Sequence, residues 1–301
     1  MVLGSCDLEF KMIGRNILFV KARIFLKDIK IEHALFALPF AYLGLFFAGK
    51  SVPSLFLFFW ITIAMVSFRT MAMALNRLFD RSIDAENPRT QGRALPQKKL
   101  RTGFVWTAAA VSLLVFEGSA WKLGDLCLWL SPVPVVLACV YPLTKRFTWV
   151  SHFVLGLVLG IAPYGAWIAV TGQFAWAPAF LTLGVTFWVA GFDMIYALQD
   201  IDFDIKRGLF SFPAKFGIAA TLRWTRLLHT LTVLCWAAAG LLNGAGLIYW
   251  LGLILVAYFL VREHRLVRAF GVAKINEAFF LMNAVVSVTL LVAVILDIVL
   301  I

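Results

Sequence analysis

The sequence contains nine long apolar runs, none of which holds more than two charged residues. A run of about 20 mostly apolar residues is long enough to cross the hydrocarbon core of a membrane as an α-helix. Helices are favoured there because they satisfy their own backbone hydrogen bonds. The runs therefore predict an all-α polytopic membrane protein with nine transmembrane helices. The predicted spans are Ile31–Gly49, Pro53–Leu75, Gly103–Trp121, Leu126–Leu143, Phe153–Thr171, Pro178–Ala197, Trp224–Leu242, Gly246–Val261 and Glu277–Ile301.

Composition supports this class and argues against the others. Of the 301 residues, 62% are hydrophobic and 14% are charged, whereas roughly a quarter of the residues in a soluble domain are charged. The four cysteines are scattered and show neither disulfide nor metal-ligand spacing. A transmembrane β-barrel would show short segments of alternating polarity rather than unbroken apolar runs.

The segment before the first run is basic. Residues 1–30 hold six Lys and Arg residues, and Asn16–Lys30 is partly amphipathic. A basic amphipathic helix of this kind lies in the plane of the membrane surface and contacts lipid. We therefore expect two parts, a basic interfacial segment at 1–30 and a single transmembrane domain at 31–301.

The distribution of positive charge predicts the orientation. With nine spans, the N-terminus and four of the loops share one side and hold 24 of the 27 Lys and Arg residues. Such an excess marks the cytoplasmic side, which predicts a multi-pass protein of the inner (cytoplasmic) membrane. The net charge of +11 could also suggest nucleic acid, but these residues flank membrane ends and no nucleic-acid motif accompanies them. We expect no nucleic-acid partner.

Acidic residues follow the second and the sixth run in the same pattern. Asn76, Asp80 and Asp84 are spaced by four after the second run, and Asp200 and Asp204 are spaced by four after the sixth. Residues four apart share a face of a helix, so each set forms a polar stripe. Because the two runs are four apart in order, both stripes lie on the same side of the membrane, which we expect to be cytoplasmic.

These acids favour a metal–diphosphate site. Two carboxylates about 5–6 Å apart repel each other by roughly 3 kcal/mol at an effective dielectric near 20, and helix C-termini disfavour negative charge. Mg²⁺ prefers such oxygen ligands and takes phosphate oxygens as its remaining ligands. The plainer alternative is a set of solvated helix ends balanced by nearby cations. The basic residues beside the motifs that can stabilise a departing diphosphate are Arg89, Arg93, Lys145 and Lys206.

Four ordered motifs together resemble a known family. They are Asn76-x3-Asp80-x3-Asp84, the stretch with Asn87, Arg89, Arg93 and Pro96, Tyr141-x3-Lys145-Arg146, and Tyr196-Ala-x2-Asp200-x3-Asp204 followed by Gly208. Over nearly the whole chain, this pattern resembles the UbiA superfamily of intramembrane aromatic prenyltransferases. One position departs from it, because Arg77 follows Asn76 where an Asn-Asp start is common elsewhere in the family.

The resemblance implies a fold, cofactors and substrates. The fold is a nine-helix bundle around a central cavity with a lateral opening toward lipid. Two Mg²⁺ ions, one per aspartate motif, hold a polyprenyl diphosphate in that cavity. The expected partners are therefore a polyprenyl diphosphate, a small aromatic acceptor and membrane lipid.

Two further stretches, at 31–40 and 202–217, look like the 4-hydroxybenzoate polyprenyltransferase branch of the family, and particularly like its MqnP-type members. The resemblance implies transfer of a polyprenyl group to 4-hydroxybenzoate or a related hydroxy-aromatic acid in quinone biosynthesis. The alternative is MqnP-type prenylation of a naphthoate-type acceptor from the futalosine pathway. Whether the product serves ubiquinone or menaquinone synthesis stays open.

Further residues are candidates for catalysis. Asp193 lies two helical turns before Asp200 on nearly the same face and can orient or deprotonate the acceptor. Tyr141 and Tyr196 can hydrogen-bond phosphate or contact an allylic cation through their rings. The plainer alternatives are a charge-paired structural acid for Asp193 and an interfacial residue for Tyr141.

Arg69 is an arginine inside a predicted span, which costs about 2.5–3.5 kcal/mol on insertion scales and usually marks a function or a buried partner. It precedes Asn76 by seven residues, which sets it roughly 10 Å deeper on the same face. Two roles of Arg69 stay open. It can form an ion pair with Asp193, or its guanidinium can bind the carboxylate of the acceptor through two parallel hydrogen bonds. His33, near the membrane surface, has either a structural role or a substrate contact.

Two other classes of protein compete with an enzyme. A transporter or channel would also carry acids, but along an ion path at the midplane rather than clustered at one membrane face. A non-catalytic prenyl-lipid-binding protein would use the same residues as the enzyme. Release of diphosphate and formation of a prenylated product separate the three.

Overall fold

The structure is a computed structural model that describes residues 18–31, 34–49, 52–271 and 282–300. These residues form helices joined by turns and contain no strand, which confirms the all-α prediction. Most of the predicted interfacial segment, His33 and the start of the ninth predicted span lie outside the described residues. The helices are α1 (18–28), α2 (Ala34–Gly49), α3 (Leu55–Phe79), α4 (Arg81–Glu86), α5 (Thr102–Leu123), α6 (Asp125–Leu130), α7 (Pro132–Thr144), α8 (Ser151–Thr171), α9 (Trp176–Ala197), α10 (Ile201–Arg207), α11 (Phe212–Asn243), α12 (Leu247–Phe270) and α13 (Asn283–Leu300).

Eight helical stretches within the described ranges are long and apolar enough to cross a membrane. They correspond to the second to ninth predicted spans, with α6 and α7 forming one span and α9 continuing into α10. The first predicted span corresponds to α2, an apolar helix of 16 residues that contains Pro39 and is shorter than each of these eight stretches. The multi-pass helical architecture is therefore confirmed, whereas the count of nine spans is not.

The most deeply buried span is α9, which packs between α8 and α11. Its Trp188 contacts Phe40 of α2 and Trp236 of α11, and all three side chains are almost completely buried. A second core forms where α3 packs on α5, and Phe25 and Ile29 of the α1 segment belong to it. The surface helix α1 is therefore attached to the same half of the bundle as the first acidic motif.

The contact between α8 and α9 depends on a glycine. A Cβ added at Gly156 of α8 would lie 2.3 Å from the backbone oxygen of Thr186 on α9. Small residues allow such close approach of helices in membranes. This close contact packs the first turns of α8 against α9.

Candidate active site

Each acidic motif begins where a long transmembrane helix ends. Asp80 separates α3 from α4 and has φ −90° and ψ 1°. Asp200 closes a 3₁₀ turn between α9 and α10 and has φ −107° and ψ 4°. The two motifs therefore share backbone geometry as well as spacing. The helix is interrupted at both aspartates. In the first motif, helical spacing nevertheless continues across the break, because the Asp84 amide donates to the Asp80 carbonyl at 2.7 Å.

The side chains of the first motif cluster with two cations. Asn76 Nδ2 donates to Asp80 Oδ2 at 3.1 Å, and Lys145 Nζ donates to the same oxygen at 2.5 Å. Arg93 Nη1 lies 2.6 Å from both carboxylate oxygens of Asp84. Asp80 and Asp84 are buried, and buried carboxylates require partners of this kind.

The segment after α4 crosses to the second motif. Arg89 forks onto Asp200, with Nε 2.8 Å from Oδ1 and Nη2 2.5 Å from Oδ2, and Asn87 Nδ2 donates to Oδ1 at 3.0 Å. Arg89 Nη1 also donates to the hydroxyl of Tyr196 at 3.1 Å, and its guanidinium lies over the Tyr196 ring. Because Arg93 of the same segment binds Asp84, this stretch of chain ties the two motifs into one site.

Burial and neighbouring charge oppose each other at these groups. Burial raises the pKa of Asp80 above its usual value, although the charge of Lys145 acts to lower it. Burial would lower the pKa of Arg89, but the hydrogen bonds and charge of Asp200 raise it above its usual value. Arg89 therefore stays charged, whereas ionised Asp80 depends on a cation beside it.

A cavity of about 470 Å³ adjoins the first motif. Its wall is mostly apolar and is built mainly by α3, α5, α6, α7 and α8. Three of the candidate residues line it, namely Arg69, Asn76 and Tyr141. Because Asn76 also donates to Asp80, the charged cluster and the apolar cavity meet at this residue.

Asp193 Oδ2 lies 2.7 Å from Nδ1 of His152 on α8, within hydrogen-bond distance. The other ring nitrogen of His152 accepts a hydrogen bond from the Phe212 amide at 3.3 Å. An imidazole nitrogen that accepts carries no proton, so Nδ1 is the nitrogen that donates to Asp193. Asp193 therefore accepts a hydrogen bond from a neutral imidazole on α8, and Arg69 lines the cavity.

Arg77, where the motif departs from the family pattern, contacts Asn76. Its side chain is buried, and Nη1 donates to Asn76 Oδ1 at 3.0 Å. Nε and Nη2 donate to the backbone oxygen of Asp28, at 3.2 and 3.0 Å. The Asp28 carboxylate in turn accepts from the Ala94 amide at 2.7 Å. Arg77 thus connects the end of α1 with the first acidic motif.

Two predicted site residues lie at the edge of this arrangement. The Asp204 carboxylate is hydrogen-bonded by Ser211. Lys206 is exposed, and within the described part of the chain its side chain contacts neither motif. Its neighbour Arg207 pairs with Glu86 instead, at 2.7 Å. Of the four cations predicted to bind the diphosphate, Lys206 is therefore the one that the described residues do not bring to an acid of the site.

The donor atoms of the first motif fit a hard cation, although the present geometry is not a closed metal site. In the described residues, no group of three His, Cys, Asp or Glu side chains is placed to hold a metal ion. Arg89, Arg93 and Lys145 occupy the carboxylates instead. Asp80 Oδ1 is nevertheless buried and accepts no hydrogen bond from the described residues. Carboxylate and amide oxygens are ligands that suit Mg²⁺.

Fold and site together define a multi-pass membrane protein with a charge-dense pocket at one end of an apolar cavity. The family model for the UbiA prenyltransferase family matches residues 37–285. The chain therefore belongs to the UbiA prenyltransferase family, and it is an enzyme of the prenyltransferase class.

Curated relatives support the same family. A 4-hydroxybenzoate octaprenyltransferase from Cupriavidus necator is 31% identical over 229 residues, which cover 73% of this chain and 79% of the relative. A 4-hydroxybenzoate solanesyltransferase from Synechocystis is 30% identical over 247 residues, which cover 81% of this chain and 84% of the relative.

Solved structures share the fold. An apo UbiA homologue from Aeropyrum pernix has a TM-score of 0.81 at 30% identity and covers 89% of this chain and 98% of its own. A UbiA homologue from Archaeoglobus fulgidus, solved with GPP and Mg²⁺, has a TM-score of 0.70 at 18% identity. The match covers 90% of this chain and 99% of the homologue.

Proposed function

We propose that this enzyme transfers a polyprenyl group from a polyprenyl diphosphate to an aromatic acceptor, either 4-hydroxybenzoate or a related hydroxy-aromatic acid. The observation that carries the proposal is the meeting of a charged cluster and an apolar cavity at Asn76. A substrate with an anionic head and a hydrocarbon tail requires both surfaces side by side. Neither a solvated helix end nor an ion path requires the apolar cavity.

The two acidic motifs are assigned to the head of this substrate. We assign one Mg²⁺ ion to Asn76, Asp80 and Asp84, and a second to Asp200 and Asp204. Bound Mg²⁺ supplies Lewis-acid polarisation of the diphosphate. The unpartnered oxygen of Asp80 supports the first assignment, and the homologue from Archaeoglobus fulgidus solved with GPP and Mg²⁺ supports the use of this metal.

The cations of the site are assigned to the diphosphate oxygens. Arg89, Arg93 and Lys145 now neutralise the same carboxylates that the proposal gives to metal ions. With metal ions held by these carboxylates, the three side chains would contact phosphate oxygens instead, without leaving the site. They then stabilise the negative charge that accumulates on the leaving diphosphate. Exposed Lys206 would have to move to join them.

The apolar cavity is assigned to the prenyl tail and the reacting carbon. Its mostly apolar wall would disfavour water, which would otherwise capture the allylic cation left when the C1–O bond breaks. The electron-rich acceptor ring attacks that carbon and then loses a proton to restore aromaticity. We assign Arg69 to the acceptor carboxylate, and Tyr141 and Tyr196 to contacts with the diphosphate or the cation. Asp193 receives the proton, and His152 holds its carboxylate in place.

The acceptor assignment follows the relatives. The proteins from Cupriavidus necator and Synechocystis act on 4-hydroxybenzoate, with octaprenyl and solanesyl tails according to their names. A naphthoate-type acceptor of MqnP-type enzymes also carries a carboxylate and therefore satisfies Arg69 equally well. We place the reaction in quinone biosynthesis, and the acceptor decides between the ubiquinone and menaquinone pathways.

The direct test is turnover by the purified full chain with Mg²⁺, a polyprenyl diphosphate and a panel of hydroxybenzoate and naphthoate acceptors. We expect a prenylated acceptor and an equivalent of released diphosphate. Chelation by EDTA should stop the reaction, and added Mg²⁺ should restore it. A transporter would release no diphosphate, and a non-catalytic binding protein would retain the prenyl substrate without forming product.

A matched pair of variants ties the reaction to the site. Lys145→Gln removes the cation at Asp80 and should lower turnover by about a hundredfold. Lys99→Gln removes an exposed charge at the same end of the molecule and should leave turnover unchanged. Full activity in excess EDTA, or equal effects of the two substitutions, would contradict the assignment.

A further inference from the structure

A second pocket lies at the same end of the bundle as the acidic motifs but outside the candidate active site. It has a volume of about 820 Å³ and is formed by α1, the start of α4, the connection from residue 95 to 101, and the first turn of α5. Four of its lining side chains are cationic and none is acidic. The four cations are Lys21, Arg81, Lys98 and Arg101.

These cations differ from those of the active site in having no acidic partner. Arg89, Arg93 and Lys145 each pair with an aspartate. By contrast, no side-chain hydrogen bond or ion pair joins any of the four cations of the basic pocket to another described residue. The pocket therefore presents concentrated positive charge that the described part of the protein does not neutralise. An anion is the ligand that this charge would attract.

The pocket lies at the level where the bundle enters the membrane. The spanning helix α5 begins at Thr102, which lines the pocket, and one turn further Trp106 is 47% exposed. Tryptophan is enriched at the boundary between lipid and water. On α1, the apolar side chains of Leu18 and Phe19 are 59% and 71% exposed. Apolar groups exposed beside basic ones on a helix are typical of a helix lying in the headgroup layer.

The walls of the pocket are held by the fold. Phe25 of α1 packs edge to face on Phe104 of α5, with ring centres 6.0 Å apart. The backbone of Asp28, at the end of α1, is bound by Arg77. Lys98 has φ 54°, in the left-handed region that residues other than glycine seldom occupy. The side chain of Lys98 is therefore presented to the pocket from a turn with an unusual backbone conformation.

We propose that this basic pocket binds the phosphate of an anionic phospholipid from the adjoining leaflet. The cations contact the phosphate, and the exposed apolar side chains of α1 lie where the acyl chains of the same lipid would pass. Basic pockets beside transmembrane helices bind anionic headgroups in this way. A free phosphate would use the same four cations but would gain nothing from the apolar face of α1. The proposal is independent of the reaction assigned to the active site.

The test is lipid binding by the full chain, purified without lipid in a neutral detergent and followed by native mass spectrometry. Dilauroyl phosphatidylglycerol is compared with dilauroyl phosphatidylcholine, which has the same tails. We expect the first to bind about tenfold more tightly. The double variant Lys98→Gln/Arg101→Gln should lose most of this preference. The control Arg23→Gln/Lys99→Gln removes two exposed charges outside the pocket and should retain it.

Each other outcome contradicts the proposal. Equal binding of the two lipids, or equal loss in the two double variants, would show general surface attraction. Displacement of the bound lipid by millimolar inorganic phosphate would show a site for a soluble anion. The charge-preserving variant Lys98→Arg/Arg101→Lys separates loss of charge from loss of fold, because it should bind phosphatidylglycerol like the unaltered protein. If it fails to bind while the protein remains folded, charge alone does not account for the site.

Discussion

Asp80 and Asp200 occupy equivalent breaks between a long helix and a short one, and each is bound by a cation. We expect Asp80→Asn and Asp200→Asn to lower prenyl transfer by at least about a hundredfold, because each variant loses a carboxylate charge that we propose for Mg²⁺ binding. Asn has nearly the same shape, and Lys145 and Arg89 are partly exposed and can reach water. Thermal unfolding should therefore change little.

The exposed acid Asp202 is a control for these two variants. It lies between Asp200 and Asp204 in sequence, but it is exposed and forms no side-chain hydrogen bond or ion pair with the described residues of the site. Asp202→Asn should keep both turnover and stability. If all three substitutions reduce turnover alike, negative charge at this face matters in general and the metal assignment is wrong.

Substitution of Arg69 tests the proposed contact with the acceptor. Arg69 lines the cavity and precedes Asn76 by seven residues along α3, which sets it deeper. Arg69→Lys keeps the charge but removes the fork that matches a carboxylate. We expect the KM for the acceptor to rise about tenfold or more, with little change in the KM for the prenyl diphosphate. Steady-state kinetics with each substrate varied in turn measures both values. Equal changes in both would favour a structural role for Arg69.

Arg77 is expected to act on the metal through Asn76, whose amide oxygen it binds. Partners that orient a metal ligand typically contribute a factor of about 10–100 in metal affinity or activity. Arg77→Lys should therefore raise the Mg²⁺ concentration for half-maximal turnover, while turnover at saturating Mg²⁺ recovers. A merely structural arginine would instead lower turnover at every Mg²⁺ concentration. An unchanged Mg²⁺ dependence would contradict this role.

At the scale of the elements, the packing of α8 on α9 makes a stability prediction. A methyl group at Gly156 would lie 2.3 Å from the backbone oxygen of Thr186, so the two helices would have to separate. Overpacking of this kind costs about 1–3 kcal/mol. We expect Gly156→Ala to lower the Tm of the detergent-purified protein, on the order of 5 °C.

Gly165 is a matched control on the same helix. A methyl group there meets no atom within 4 Å, and alanine has the higher helix propensity. Gly165→Ala should therefore leave the Tm unchanged or raise it. A similar decrease in both variants would place the effect in α8 itself rather than in its contact with α9.

The elements also explain which parts of the site the sequence could predict. Spacing by four predicts the side chains that share a helix face, and Asn76 does contact Asp80. It does not predict the breaks at Asp80 and Asp200, since the spacing by four continues across both and would suit an unbroken helix. Nor does it predict contacts between distant segments, such as Arg89 with Asp200 or His152 with Asp193. Such contacts depend on how distant helices and loops pack against one another, and the spacing of residues within one helix does not determine that packing.

At the scale of the whole molecule, the arrangement of spans fixes which loops face the same side. Three spans, Thr102–Leu123, Asp125–Thr144 and Ser151–Thr171, lie between Lys99 and Gln173. An odd number of crossings places these two exposed residues on opposite sides of the membrane, whether or not α2 crosses it. The basic residues concentrate on the side of Lys99, and we propose that this side, with both acidic motifs, is cytoplasmic.

Cysteine labelling checks this orientation at one position on each side of the membrane. In a chain whose four cysteines are replaced by alanine, Gln173→Cys should react with a membrane-impermeant maleimide on intact cells. Lys99→Cys should react only in inverted vesicles, because its loop faces the cytoplasm. Each position is the control for the other, since both side chains are exposed. Labelling of Lys99→Cys from outside intact cells, with Gln173→Cys protected, would place the acidic motifs on the outer face. Reaction of both positions on intact cells would mean that the three intervening helices do not all cross the membrane.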